Sequence, residues 1–204
     1  MITIIDYGMG NLGSVLNMFK KVGVSSLIVS DAEGVLDAKK MLLPGVGAFD
    51  SAVESLRSRG LFDAIVEKVE GGTPILGICL GMQLLTRGSE EGVNAGFGLI
   101  DAYAKKFDFT GMDKPLPVPH MGWNRLHHEK ESALFADMPP NERFYFVHSY
   151  AVECYNKEDI LTTTHYGYDF VSSFEKENIM GCQFHPEKSH RFGMQLLKNF
   201  AERY

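Results

Sequence analysis

The residues of this chain best suited to chemistry fall in two short stretches. Gly77-Ile78-Cys79-Leu80-Gly81 sets a thiol between two glycines, after the apolar run Pro74 to Ile78 and before Met82, Gln83, Leu84 and Leu85, which suit a helix. A small-X-nucleophile-X-small sequence between strand and helix marks a nucleophile elbow. The strained turn pushes one side chain out above the sheet, and the flanking glycines let backbone pass closely. Far downstream, His185-Pro186-Glu187 places an imidazole and a carboxylate two residues apart, so in extended chain both face the same way. A thiol, a base and a carboxylate that orients the base make up a nucleophilic triad, here in the chain order Cys79, His185, Glu187.

Each piece has a plainer reading when taken alone. A cysteine in an apolar strand-helix segment is usually a small core residue. A lone His-Pro-Glu is most often a surface loop. Cys182 and His185 could be read as a metal pair, but no second Cys-x-x-Cys or His-x-x-His completes four ligands, and no metal is expected. The elbow, the base and the acid occurring together favour thiol catalysis.

The elements that must position these groups are legible in the first half of the chain. Ile2 to Ile5, Ser26 to Val29, Lys40 to Leu43 and Thr73 to Cys79 read as buried strands. Between them Ser14 to Lys21, Phe49 to Arg57 and Leu61 to Val69 carry apolar residues at helical spacing, the last two ended near Gly60 and Gly71-Gly72. Such βαβ alternation predicts an α/β fold with a mostly parallel central sheet flanked by helices. The second half predicts a smaller region with antiparallel strands: Phe97 to Ile100, Ala102 to Phe109, Phe144 to His148, Ala151 to Tyr155, Phe170 to Phe174 and Ile179 to Phe184 read as strands, some of them antiparallel. A Pro-rich segment, Lys114 to Pro119, interrupts them, and a helix from Phe192 to Arg203 closes the chain.

Bulk properties narrow the function classes. The 204 residues suit one α/β domain spanning 1–204. A net charge of -6 argues against nucleic acid as partner, because that binding depends on neutralising phosphates. Cys79, Cys154 and Cys182 are odd in number and widely spaced, which is no disulfide framework and fits a reducing cytoplasm. The N-terminal apolar run is short and lacks a basic region, so no signal peptide is expected, and no stretch approaches a membrane span. Gly8-Met9-Gly10-Asn11-Leu12-Gly13 matches G-x-G-x-x-G, with Asp31 about where a ribose-binding acid would stand. The chain lacks length for a separate substrate domain, and a dinucleotide site would leave the Cys79 elbow unexplained. No cofactor is expected.

Taken together the motifs resemble class I glutamine amidotransferases, whose fold is flavodoxin-like. Within that class they look closest to the glutaminase subunits of imidazole glycerol phosphate synthase. The matching pieces run almost end to end: Asp6 to Asn11, Pro44-Gly45-Val46-Gly47-Ala48-Phe49, Leu76 to Leu85, Pro119-His120-Met121-Gly122-Trp123-Asn124, Phe146 to Tyr150, and Gln183-Phe184-His185-Pro186-Glu187-Lys188-Ser189. The resemblance implies Cys79 as nucleophile, His185 as its base and Glu187 as the orienting acid. It implies an oxyanion hole from the backbone N–H groups of Val46, Gly47 and Leu80, and contacts to L-glutamine from Gly45, Gln83, Ser149 and Tyr150. It further implies a heterodimer with a (βα)8-barrel synthase subunit that receives ammonia and converts PRFAR into imidazole glycerol phosphate and AICAR in histidine biosynthesis. His120, Trp123 and Asn124 would face that subunit, Trp123 displayed by a Pro-rich loop. In one departure, Ala151 follows Tyr150 where many such subunits carry a second aromatic. That leaves room for an alternative acceptor, an amidino-sugar precursor of bacterial surface polysaccharide.

Because only Cys79 has the elbow setting, a glutamine-analogue electrophile such as diazo-oxo-norleucine should label Cys79 and spare Cys154 and Cys182. Peptide mass spectrometry reads the outcome, and labelling of either other cysteine in its place would refute the assignment.

Overall fold

A computed structural model describes all 204 residues. In chain order the elements are β1 (Ile2–Ile5), α1 (Leu12–Lys21), β2 (Ser26–Val29), α2 (Ala32–Leu36), β3 (Met41–Gly45), α3 (Phe49–Ser58), α4 (Leu61–Glu70), β4 (Ile75–Cys79) and α5 (Leu80–Leu84). There follow β5 (Ala102–Lys106), β6 (His120–Asn124), β7 (His127–His128), β8 (Phe144–His148), β9 (Tyr150–Cys154), β10 (Ile160–Tyr166), β11 (Tyr168–Lys176), β12 (Ile179–Cys182) and α6 (His190–Arg203).

Every residue of β1, β3, β4 and β12 is buried, as expected of parallel strands covered on both faces. The sheet runs β2-β1-β3-β4-β12 in parallel and continues antiparallel through β11, β10 and β7. β9 joins β11 at Val152 and Val171 and pairs along its length with β5, while β6 and β8 form a separate antiparallel ribbon. The parallel order is the doubly wound 2-1-3-4-5 pattern, with β12 in the last place. Helices α1 and α6 cover one face with Val15, Phe19, Leu196 and Phe200; α3 and α4 cover the other with Phe49, Val53, Leu61 and Ile65. Local signals start α1: the Asn11 side chain accepts from the Ser14 N–H at 3.3 Å, and Lys20 and Lys21 sit in the last turn.

Some expectations need correction. Phe97 to Ile100 forms no strand. Its Phe97, Gly98 and Ile100 N–H groups donate to the carbonyls of Leu84, Thr86 and Leu85, so this segment satisfies the free end of α5 instead of a ladder. Trp123 stands on strand β6, not on a loop. Alternation along β6 turns Met121 and Trp123 outward and His120 inward. The strand β10 and the short helix α2 are additions to the pattern expected from the sequence; Asp31, the candidate ribose ligand, caps α2 by accepting from the Gly34 N–H at 2.9 Å.

Two glycines around the thiol are dictated by space. A Cβ on Gly81 would lie 1.9 Å from the Leu43 carbonyl oxygen, and one on Gly77 would lie 2.6 Å from the Gly81 carbonyl oxygen. Gly13, by contrast, has nothing within 4 Å of its would-be Cβ and lies on α1. Gly81→Ala should therefore cost at least about 2 kcal/mol, the scale of overpacking a close backbone contact. Gly13→Ala should be neutral or gain roughly 0.5–1 kcal/mol. Urea unfolding midpoints at unchanged m separate the two.

Candidate active site

Strand register brings the chemistry to one edge. Gly45 at the end of β3 pairs with Cys79 at the end of β4, and Cys182 at the end of β12 pairs with Ile78. The carboxyl ends of three neighbouring strands are thus level, where open α/β sheets place their ligands. Cys79 itself has φ 54° and ψ -108°, an unfavourable conformation for a residue with a Cβ, worth of order 1–3 kcal/mol. The turn persists because Gly77 and Gly81 let β3, β4 and α5 touch backbone to backbone.

His185 follows β12 by way of Gln183 and Phe184. Its Nδ1 hydrogen-bonds to Glu187 Oε1 at 2.7 Å, and both side chains are almost wholly buried. The two do not meet along an extended strand: Pro186–Lys188 is a 3-10 turn that folds the carboxylate back under the ring. Ser189 clamps this turn from below, its hydroxyl donating to the His185 carbonyl at 2.6 Å and accepting from the Tyr145 N–H at 3.0 Å. His185 Nε2 and Glu187 Oε2 are buried without a hydrogen-bond partner. Burial alone would push His185 down; the Cys79 sulfur and the Glu187 carboxylate beside it outweigh that and raise the imidazole to about 9.

Cys79, Leu80 and His185 line one cavity of about 330 Å3 together with Val46, Gly47, Gln83, Ser149 and Tyr150. Glu91, Pro119, Val147 and His148 complete it. Gly45 is not among its lining residues; it is buried where a Cβ would meet the Tyr7 hydroxyl at 2.4 Å and the Gly81 nitrogen at 2.9 Å. Tyr7 donates to the Pro44 carbonyl at 2.8 Å and so fixes the start of the Val46–Gly47 turn. The glycine-rich loop after β1 has the same role: Gly10 lies against Pro44 and Met9 against Gly47, which has φ 106°. A larger groove of about 840 Å3 lies between β9 and β11 and holds none of the expected site residues.

His120 does not reach the surface. It is buried, stacked on Tyr166 and Phe146, with its Nδ1 3.1 Å from His148 Nε2. His148 Nδ1 in turn contacts the Tyr150 carbonyl at 2.8 Å. Burial holds both rings neutral, His120 at about 4 and His148 at about 3. Trp123 is exposed, with His190 stacked on it and Arg143 5.5 Å from its ring centre, and Asn124 donates to the His165 carbonyl at 3.0 Å. Among residues that had no role in the sequence reading, Gln183 donates to the Cys79 sulfur at 3.6 Å, and Glu91 is the carboxylate that lines the cavity. Gln183 and Ser189 were visible only as flanks of His-Pro-Glu. The remaining thiols are held in their neutral form by burial, Cys154 pushed up to about 12 and Cys182 well above its ordinary value.

The sequence model of the family described as glutamine amidotransferase class-I matches residues 3–203. The chain belongs to that family. A relative from Methanococcus maripaludis, named imidazole glycerol phosphate synthase subunit HisH 2, is 50% identical over 203 residues, covering 99% of each chain. Another from Sulfurimonas denitrificans, named imidazole glycerol phosphate synthase subunit HisH, is 48% identical over 99% of this chain and 98% of its own. A crystal structure described as a glutamine amidotransferase superposes with a TM-score of 0.73 at 17% identity, over 99% of this chain and 98% of that one, which shows the shared fold. The class-I amidotransferase fold implied by the sequence motifs is the fold observed, and the protein is an amidotransferase enzyme. No helix is long and apolar enough to cross a membrane.

The raised imidazole of the amidotransferase makes a stability prediction. A histidine whose folded value, about 9, exceeds the free value of 6.5 stabilises the fold fully below about 6.5, and that contribution is lost as pH climbs through about 9. Cys79→Ala removes one cause of the rise, so the alkaline fall in melting temperature should be shallower in the variant than in wild type. Parallel alkaline limbs in the two proteins would contradict a Cys79–His185 coupling.

Proposed function

We propose that residues 1–204 act as one glutaminase domain that hydrolyses L-glutamine to glutamate and ammonia, with Cys79 as nucleophile, His185 as base and Glu187 as its orienting acid. The observation that carries the reading is a strained, cavity-facing thiol sharing its pocket with a histidine already held by a carboxylate at 2.7 Å. The pocket volume falls at the lower end of small-molecule sites, roughly 300–1,000 Å3, as a single amino acid requires.

In the first half-reaction the Cys79 proton rests on His185 Nε2, the raised imidazole being the protonated partner, and the sulfur attacks the side-chain amide carbon. The backbone N–H groups of Val46, Gly47 and Leu80 hold the oxyanion. His185 then protonates the departing nitrogen, ammonia leaves and a γ-glutamyl thioester remains. Water, deprotonated by the same nitrogen, attacks the thioester; glutamate leaves and the thiol is restored. Glu187 keeps its carboxylate on Nδ1 throughout, which fixes the tautomer and offsets the imidazolium charge. Gln83, Ser149 and Tyr150 line the pocket where the amino-acid end lies, and Glu91 offers a carboxylate to its ammonium group.

Ammonia is of use only to an acceptor, and the reading continues with a (βα)8-barrel synthase subunit bound as a heterodimer in the cytoplasm, making imidazole glycerol phosphate and AICAR from PRFAR for histidine. Relatives that match this chain nearly end to end carry the name of that synthase. The amidino-sugar acceptor is not favoured, since the relatives described above carry the synthase's name. In the reconstituted complex, Cys79→Ala should abolish glutamine-dependent synthesis while added ammonia still supports it. His185→Asn should cost more glutaminase activity than Glu187→Gln, since one moves protons and the other positions the ring. Unchanged glutamine-dependent turnover in Cys79→Ala would defeat the reading.

A further inference from the structure

The triad leaves one buried amide unaccounted for. Gln183 is fully buried, two residues before His185, and its Nε2 lies 3.6 Å from the Cys79 sulfur. Its Oε1 accepts from Gln83 Nε2 at 3.2 Å, and Gln83 Nε2 also donates to the Tyr150 carbonyl at 3.3 Å. The segment is held on both sides: the Gln183 N–H donates to the Ser172 carbonyl at 2.9 Å, and the Phe184 ring packs tilted against Phe144 with ring centres 4.2 Å apart.

The direction of this chain follows from one group that cannot reverse. A backbone carbonyl only accepts, so the Tyr150 oxygen demands the NH2 of Gln83. That NH2 has two hydrogens, and the second must meet an acceptor, which turns Gln183 Oε1 toward it. Gln183 Nε2 is then left facing the sulfur. Flipping Gln183 would set two NH2 groups against each other and aim an oxygen at the thiol. The second lone pair of the Tyr150 carbonyl is filled by His148 Nδ1–H at 2.8 Å, so no other donor is free to displace Gln83.

We propose that Gln183 is a catalytic residue of this site: its side-chain amide donates to the Cys79 sulfur and favours the thiolate, while Gln83 positions that donor. The proposal rests on the reading of Cys79 as nucleophile. The amide transfers no proton; the thiol proton goes to His185 Nε2, and Gln183 contributes a fixed dipole to the anion left behind. A hydrogen bond to the charged form favours it. Lowering thiol basicity weakens its nucleophilicity with a slope of only about 0.4–0.5, so the larger thiolate fraction outweighs the loss at neutral pH. The same donor acts again when water cleaves the thioester, because sulfur leaves as the anion that Gln183 is poised to receive.

The full-length chain is alkylated with iodoacetamide and the Cys79 peptide followed by mass spectrometry across neutral to alkaline pH, for wild type, Gln183→Met, Gln183→Glu and Gln83→Met. In both Gln183 variants the Cys79 rate at neutral pH should fall at least about tenfold and recover as the pH rises, with kcat in the synthase complex falling in parallel and KM for glutamine within about twofold. Gln83→Met should shift the same profile by a smaller amount, since the donor survives but loses its anchor. That variant decides the matter if Gln183 substitutions fail to fold. A Gln183→Met protein with native melting and the wild-type alkylation profile would overturn the proposal while leaving the triad standing. Wild-type Cys79 that reacts no faster than Cys154 would instead remove the nucleophile assignment, and this proposal with it.

Discussion

The site depends on a contact in which there is no room for a side chain. Gly81 sits against the Leu43 carbonyl and Gly77 against the Gly81 carbonyl, so β3, β4 and α5 meet backbone on backbone. That contact forces the chain to reverse at Cys79, gives the cysteine its unfavourable φ and ψ, and aims its sulfur into the cavity instead of the core. The strain is carried by the parallel sheet around it. β4 is hydrogen-bonded on one side by β3 and on the other by β12, and neither edge of that strand is free to relax. The same two pairings deliver the other parts: Val46 and Gly47 from the end of β3, and Gln183 and His185 from the end of β12.

Around this turn the polar groups form a network whose direction is set by the Tyr150 carbonyl. It accepts from Gln83 on one side and from His148 on the other. Through Gln83 and Gln183 one branch reaches the Cys79 sulfur; through His148 and His120 the other reaches β6. His148 Nδ1–H donates, so its Nε2 must accept, and His120 Nδ1 must carry the proton. Burial among Phe107, Phe146, Tyr166 and Phe170 keeps both rings neutral, which this arrangement needs. A network satisfied in one direction only is rigid, and rigidity is what a nucleophile and its donor require. Of the buried triad atoms, His185 Nε2 and Glu187 Oε2 stay unpaired. An unpaired buried polar atom in a native fold calls for a reason, and the proton transfer proposed for Nε2 is one.

The ribbon of β6 and β8 joins this interior to the surface. His120 pairs with His148 across the ribbon, and Trp123 pairs with Tyr145, whose N–H is held by Ser189 beneath the triad turn. Alternation places His120 in the network and Trp123 outside it on the same short strand. The outer face carries Trp123 with the His190 ring stacked on it and the Arg143 guanidinium close by, on a chain of net charge -6.

The sequence by itself determined the first four parallel strands, their order of appearance and the cysteine elbow; that β12 completes the parallel set was left to the structure. What it determined depends on local rules: runs of Ile, Leu and Val for strands buried on both faces, apolar spacing for α1, α3 and α4, and glycines flanking Cys79 for the elbow. It also singled out His185 and Glu187, though it placed them side by side on an extended chain where the structure uses a 3-10 turn. Only the tertiary structure decided the rest. The inward turn of His120 depends on which face of β6 meets the aromatic cluster, and no period within five residues reveals that. The glycine-rich loop looked like a dinucleotide site because its spacing allows one; its neighbours, Pro44 and Gly47, come from another strand and give it a structural task. Gln183 had no signal of its own, since a glutamine after a strand is ordinary. Its place beside the sulfur comes from register between β4 and β12, and its orientation from a carbonyl on β9. Local patterns specify elements and turns because their energetics are set by adjacent residues; hydrogen-bond partners far apart in the chain are chosen by packing, which exists only once those elements are assembled.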